Sequence, residues 1–231
     1  MTADPRLIVP LDVPTVAEAR ALVERLGGAV GFYKVGLELF ASDGMGLARE
    51  LKAQGKQVFI DWKLHDIGTT VERAARALSG SGCDFLTVHG EPQVMASAVL
   101  GRGRAPLKIL AVTVLTSLSD EDLPSVGLVP PVADQVLRLA SLAQQCGLDG
   151  VVCSAHEIAR LRSELGPEFL LVVPGIRPAG SAVGDQRRVM GPAEAQAAGA
   201  DVLVIGRPIT GAQDPALAAR DIARSLGIPV I

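Results

Sequence analysis

Short runs of β-branched and aliphatic residues alternate along the chain with segments of helical periodicity. Each run is bounded by Gly, Pro, Asp or Ser, which is the pattern of repeated strand–helix units. Eight runs read as strands: 6–12, 32–38, 57–64, 85–90, 108–115, 150–154, 170–176 and 202–209. Several are nearly continuous aliphatics, such as Leu171-Val172-Val173 and Val202-Leu203-Val204-Ile205, as parallel strands buried on both faces require. The clearest helix spans 131–146. There Val132, Val136, Leu139, Ala143 and Cys146 recur at spacings of three or four, a stripe expected to pack on the sheet, and Gly147 follows as a cap. A second helix is expected over 69–78. Pro10 lies inside strand one, where its missing N–H would break a ladder bond; the strand is kept because it then delivers Asp12 at its C-terminal end.

Eight such units without a linker or a shift in composition predict one α/β domain over 1–231, a (β/α)8 TIM barrel. The alternative, an open doubly wound sheet, would carry a Gly-x-Gly-x-x-Gly turn after strand one, where the chain instead reads Leu11-Asp12-Val13-Pro14. With 48% hydrophobic and 20% charged residues, the chain is far from the profile of disorder. Lys and Arg number 22 against 25 Asp and Glu, a net charge of −3. No global positive field is available for nucleic acid or an anionic membrane, so an anionic ligand must be held by a local cluster. Residues 1–4 lead straight into an apolar run without a basic segment, and no stretch reaches the roughly 18 apolar residues of a membrane span. A cytoplasmic protein is expected. Cys83, Cys146 and Cys153 are widely spaced and odd in number, which argues against a disulfide framework or a zinc site and predicts buried thiols.

Charged residues are rare in interior strands, so those found there carry information. Strand one ends in Asp12, strand two carries Lys34, and strand three ends in Asp61-Trp62-Lys63-Leu64-His65-Asp66. A side-chain period of two puts Asp61 and Lys63 on one face. Strand C-terminal ends form the active-site mouth of a barrel, so Asp12, Lys34, Asp61 and Lys63 are expected to converge there. The plainer alternative is a structural ion cluster plugging the barrel end. Asp66 lies past the strand, either capping the next helix or, with Ile67 and Thr70, reaching the site of a neighbouring subunit.

The last quarter of the chain holds a second cluster. Strand seven runs into Pro174-Gly175-Ile176-Arg177-Pro178, a small-residue loop ends in Gly184-Asp185-Gln186-Arg187-Arg188, and strand eight continues into Gly206-Arg207. Loops after strands seven and eight of a barrel commonly hold phosphate. Gly206 allows close backbone approach, and Arg207, with Gln186 and Arg177, supplies forked donors for phosphate oxygens. Thr116 follows strand five at the same mouth, either reading a polar ligand edge or serving as a turn residue. His89, ending strand four, reads as a satisfied, partly buried histidine, and His65 and His156 read as packing or capping residues, none at a metal-binding spacing.

Together these residues resemble the orotidine 5′-phosphate decarboxylase family in its shorter bacterial form. Asp61-Trp62-Lys63-Leu64-His65-Asp66 is similar to that family's Asp-x-Lys-x-x-Asp signature, and the likeness extends from Leu11-Asp12 through Lys34, Leu115-Thr116-Ser117 and 174–178 to Ile205-Gly206-Arg207-Pro208. One departure stands out. Many bacterial members continue Asp-Ile-Pro-Asn-Thr, whereas Asp66-Ile67 is followed here by Gly68-Thr69-Thr70, keeping only the threonine.

The resemblance implies conversion of orotidine 5′-monophosphate to UMP and CO2 in pyrimidine biosynthesis, with no metal or organic cofactor. It implies Lys63, held by Asp61 and Asp66, as proton donor to C6, Asp61 facing the departing carboxylate, and Lys34 bridging Asp61 and the ribose. Asp12 and, from the partner chain of a homodimer with shared sites, Asp66 and Thr70 would bind ribose hydroxyls, with Ile67 completing the same shared site. Thr116 would read the pyrimidine edge, and Arg177, Gln186, Gly206 and Arg207 would hold the 5′-phosphate beneath a closing loop over 178–188. Two other readings stay open: a Mg2+-dependent sugar-phosphate decarboxylase or lyase, since related barrels share Asp-x-Lys-x-x-Asp, and a non-catalytic barrel that binds UMP.

Overall fold

A computed structural model describes residues 3–178 and 190–227. Its eight strands are β1 (Leu7–Pro10), β2 (Phe32–Val35), β3 (Gln57–Leu64), β4 (Phe85–His89), β5 (Lys108–Val112), β6 (Gly150–Val152), β7 (Leu170–Val173) and β8 (Val202–Val204). All pair in parallel, in sequence order, and β8 returns to β1, closing the barrel. Ten helices surround it among the described residues: α1 (Val16–Leu26), α2 (Leu37–Phe40), α3 (Gly44–Ala53), α4 (Gly68–Ser79), α5 (Pro92–Arg102), α6 (Val132–Gln145), α7 (Ile158–Leu165), α8 (Pro192–Ala197), α9 (Arg207–Thr210) and α10 (Pro215–Ser225). The expected (β/α)8 TIM barrel is the observed fold.

The strand runs separate two apolar layers. Residues of one parity, among them Tyr33, Val35, Val58 and Ile60, join the helices in the outer layer. Those of the other parity, Ile8, Phe32, Phe59, Phe85, Leu110, Val172, Val202 and Val204, fill the barrel. Phe85 meets Phe32 and Phe59 edge-on, with ring centroids 5.1 and 5.8 Å apart, the arrangement favoured by aromatic quadrupoles. This plug forms an apolar floor to the mouth, where Phe59 and Val204 line the same cavity as the polar residues.

The N-terminal rim is closed by a device that recurs three times. Gly82-Cys83-Asp84, Gly147-Leu148-Asp149 and Gly199-Ala200-Asp201 each precede an even-numbered strand, and all three glycines have positive φ, between 76° and 108°. Each aspartate accepts a backbone N–H from the preceding odd strand: Val58 to Asp84 at 2.7 Å, Ile109 to Asp149 at 2.8 Å and Leu171 to Asp201 at 2.8 Å. Each also pairs with a helix cation, Lys52, Arg102 and Arg162 respectively. The rim opposite the mouth is thereby pinned by charge-assisted bonds.

Most strand starts agree with the sequence reading, while seven of the eight ends fall short of it. The expected strand over 32–38 stops at Val35 and gives way to α2; the one over 202–209 stops at Val204, and α9 begins at Arg207. Apolar residues past strand ends, such as Val114 and Ile176, are buried without belonging to a strand, while buried Ile205, one residue past β8, still donates its N–H to Ile8 O at 3.0 Å, so hydrophobicity runs on beyond the regular ladder. Pro10 is the last residue of β1, and Leu11 N–H donates to Lys34 O at 2.9 Å just beyond it, so the missing donor falls where the ladder ends. On α6 the buried stripe is Val132, Val136, Ala140 and Ala143, with Leu139 only half-buried. Cys83 and Cys153 are buried as expected, but Cys146, at the end of α6, is half-buried. Among the described residues no helix is long and apolar enough to cross a membrane.

Candidate active site

At the C-terminal mouth, a cavity of about 460 Å3 is lined by Asp12, Lys34, Asp61, Lys63, Thr116, Arg177, Gly206 and Arg207, with apolar walls from Phe59, Val112, Val152 and Val204. Its volume suits a small-molecule ligand. The residues singled out on strands one to three and those after strands five, seven and eight therefore share one site. Gln186 lies outside the described residues, as does most of the expected loop over 178–188.

The polar end of the cavity is a chain of alternating charges. Lys34 Nζ lies 2.9 Å from Asp12 Oδ1 and 3.4 Å from Asp61 Oδ2, while Lys63 Nζ lies 2.9 Å from Asp61 Oδ1. Burial alone would push the Lys34 ammonium down, yet the combined pull of Asp61 and Asp12 holds it above the ordinary lysine value. Burial would likewise raise the Asp61 carboxyl, but Lys34, Lys63 and two hydrogen bonds keep it below the usual carboxylate range. Both are therefore charged at neutral pH. The Lys63 side chain is 28% exposed against 11% for Lys34, so Lys63 presents its ammonium to the cavity whereas Lys34 is embedded behind it.

Two residues of this site escaped the sequence reading. Thr87, fully buried in β4, donates its hydroxyl to Asp61 Oδ1 at 2.9 Å and accepts the Lys63 backbone N–H at 3.0 Å. Its signal was a polar residue inside the apolar run Phe85-Leu86-Thr87-Val88, on the interior parity of Phe85. Gly36 follows β2; a Cβ there would lie 2.8 Å from Asp12 Oδ1 and 2.9 Å from Lys34 Nζ. Glycine leaves that ion pair undisturbed, whereas a larger residue would make the two side-chain ends shift.

Asp66, Ile67 and Thr70 do not join the cavity of their own chain. All three are exposed, Ile67 by 70%. Among the described residues the Asp66 carboxylate accepts only the adjacent Ile67 N–H, at 2.6 Å, and α4 has no side-chain cap, so Asp66 is not the capping residue considered as its plainer role. Gly68, where the departure from the bacterial pattern falls, opens α4. A Cβ there would come within 2.6 Å of Ser97 Oγ, so the substitution matches close packing between α4 and α5. His89, the last residue of β4, is half-buried as expected, whereas His65 is exposed and not a packing residue: it bonds Glu91 at 2.7 Å and stacks on His89 with centroids 4.6 Å apart. His156 is exposed. Among the described residues no group of acidic, His or Cys side chains is arranged to hold a metal.

Comparison with known proteins agrees with this geometry. The model of the family described as "Orotidine 5'-phosphate decarboxylase / HUMPS family" matches residues 5–222. The orotidine 5′-phosphate decarboxylase of Caulobacter vibrioides is 61% identical over 230 residues, covering 98% of this chain and 99% of that one. That of Methylobacterium radiotolerans is 54% identical over 226 residues, covering 97% and 98%. The crystal structure of the Lactobacillus acidophilus orotidine 5′-phosphate decarboxylase superposes with a TM-score of 0.85 at 39% identity, over 96% of this chain and 99% of that one. Sequence, barrel and mouth agree from end to end, and the chain belongs to the orotidine 5′-phosphate decarboxylase / HUMPS family.

Proposed function

We propose that this protein is a carboxy-lyase that converts orotidine 5′-monophosphate to UMP and CO2 in pyrimidine biosynthesis, with Lys63 as the proton donor. The observation that carries the reading is Asp61 bonded to both lysines, at 2.9 and 3.4 Å, with the Lys63 ammonium open to the cavity. Breaking the bond between C6 and the carboxylate leaves its electron pair in an sp2 orbital that the ring π-system delocalises poorly. A fixed ammonium beside C6 stabilises that charge as it develops. The Lys63 proton then passes to C6, CO2 departs, and the free amine regains a proton from water. Because Asp61 is shared with Lys34, Lys63 is positioned without being locked away by a private counter-ion.

The rest of the site divides the substrate by chemistry. Asp12 and Lys34 suit ribose hydroxyls, and Thr116 suits the pyrimidine edge. Arg207 and Arg177, at the far side of the cavity with Gly206, suit the phosphate dianion; Gln186 joins them in this reading. Binding energy from the phosphate, remote from C6, is then available to assemble the reacting end. Asp66, Ile67 and Thr70, exposed beside the mouth, serve the ribose site of a second copy in a cytoplasmic homodimer. The deciding experiment follows the orotate absorbance during incubation with orotidine 5′-monophosphate, with and without EDTA. Loss of the signal in both arms is expected. Activity abolished by EDTA and restored by Mg2+ would overturn the metal-free reading, and tight UMP binding without turnover would overturn the enzyme.

A further inference from the structure

We infer that Thr87 is a positioning residue for Lys63, setting the backbone from which the ammonium reaches the reacting carbon. This rests on the proposed function, because it assumes that the placement of Lys63 limits the reaction. The β3–β4 ladder pairs Ile60 with Leu86 and then Leu64 with Val88, so residues 61–63 of β3 stand opposite Thr87 alone. Such a bulge re-aims side chains next to a site but leaves backbone groups without ladder partners. Within it, Lys63 has φ 49°, the one non-glycine residue with positive φ among the described residues. This conformation is unfavourable for a side chain with a Cβ and persists only where its surroundings enforce it.

The Thr87 hydroxyl supplies that enforcement. One lone pair accepts the Lys63 N–H that the bulge has removed from the ladder, and its single hydrogen goes to Asp61 Oδ1, the same oxygen that binds Lys63 Nζ. A closed ring results, Lys63 N–H to Thr87 Oγ1 to Asp61 Oδ1 to Lys63 Nζ, fixing both ends of the lysine from one fully buried atom. The β-branched side chain, restricted in χ1, holds that oxygen over the Phe59 and Phe85 floor. Thr87 does not line the cavity, so it acts through Lys63 and not on substrate.

The test compares kcat and KM for orotidine 5′-monophosphate, and UMP affinity by calorimetry, in wild type, Thr87→Val, Thr87→Ser and Lys63→Ala. Valine keeps the shape and removes both bonds. Its kcat is expected to fall about 10- to 100-fold, the scale of a small misplacement of a reacting group, with KM and UMP affinity nearly unchanged, and serine is expected to restore kcat. Retained kcat in Thr87→Val, an equal loss of kcat and UMP affinity, or failure of serine to rescue would each overturn the inference. Should the valine variant not fold, Thr87→Ala set against Thr87→Ser gives the same reading. A wild type that does not decarboxylate sinks the proposed function itself. An active wild type with an inert Lys63→Ala and a fully active Thr87→Val sinks only the role of Thr87.

Discussion

Asp61 holds the Lys63 ammonium at 2.9 Å through Oδ1, while its other oxygen lies 3.4 Å from Lys34. A carboxylate shared between two cations positions the outer one and leaves it accessible to the cavity. Each partner comes from the C-terminal half of its strand, so the relationship is built on the barrel and not on a loop.

Replacing Lys63 with alanine removes the proton donor but leaves the Asp61–Lys34 pair and the arginines. Turnover is expected to drop by at least about 100-fold, the contribution of a positioned acid, while UMP affinity keeps its order of magnitude. Initial rates and calorimetry decide this; decarboxylation within tenfold of wild type would remove Lys63 from the mechanism.

The raised pKa of Lys34 and the depressed pKa of Asp61 both make stability depend on pH. For Lys34 the contribution is complete below the unfolded value of about 10.4 and is lost as pH rises through the higher folded value. For Asp61 it is complete above about 3.9 and is lost as pH falls through the lower folded value. The stability difference between wild type and Lys34→Met, measured by urea unfolding, is therefore expected to be flat between pH 5 and 9 (roughly the interval inside those values) and to shrink beyond either end. A difference that stays constant into strong alkali would mean that packing, not charge, holds Lys34.

Arg207 borders the cavity beside Gly206. Loss of a charge-assisted phosphate bond in Arg207→Ala is expected to lower kcat/KM about 10- to 100-fold, equivalent to about 1.5–3 kcal/mol. Added inorganic phosphite alongside a substrate lacking the phosphate would then activate wild type but not the variant. An unchanged kcat/KM excludes the phosphate role.

If Asp66 serves the neighbouring subunit, mixed Asp66→Ala and Lys63→Ala chains regain activity through hybrid dimers that carry one intact site. Unmixed variants stay inactive. Subunit exchange demonstrated by mass spectrometry without recovery would place the function of Asp66 within its own chain.

Asp201 accepts Leu171 N–H at 2.8 Å and Arg162 at 2.6 Å on the rim opposite the site. Asp201→Ala leaves a donor and a guanidinium short of a partner and is expected to destabilise by about 1–3 kcal/mol with kcat/KM unchanged. Thermal melting and steady-state kinetics together test this separation of stability from chemistry.

The eight strands and their order were legible because each is a short apolar run between Gly, Pro and Asp punctuation. The convergence of Asp12, Lys34, Asp61 and Lys63 was legible because charge is rare on such runs. The C-terminal ends of the strands were not, since Val114 and Ile176 are buried by the mouth without joining a strand. The recurrent Gly-x-Asp rim was present in the letters at three places, but its meaning depends on N–H groups of other strands.

What the sequence by itself determined is the barrel, its parity and the inventory of charges at one end, because alternation and burial are local consequences of residue type. Only the tertiary structure decided how those charges pair, that Lys63 sits in a bulge at φ 49°, and that Thr87 and Gly36 hold the array in place. Hydrogen-bond partners and steric clearances between residues on different strands are set when the barrel closes, and no local pattern encodes them.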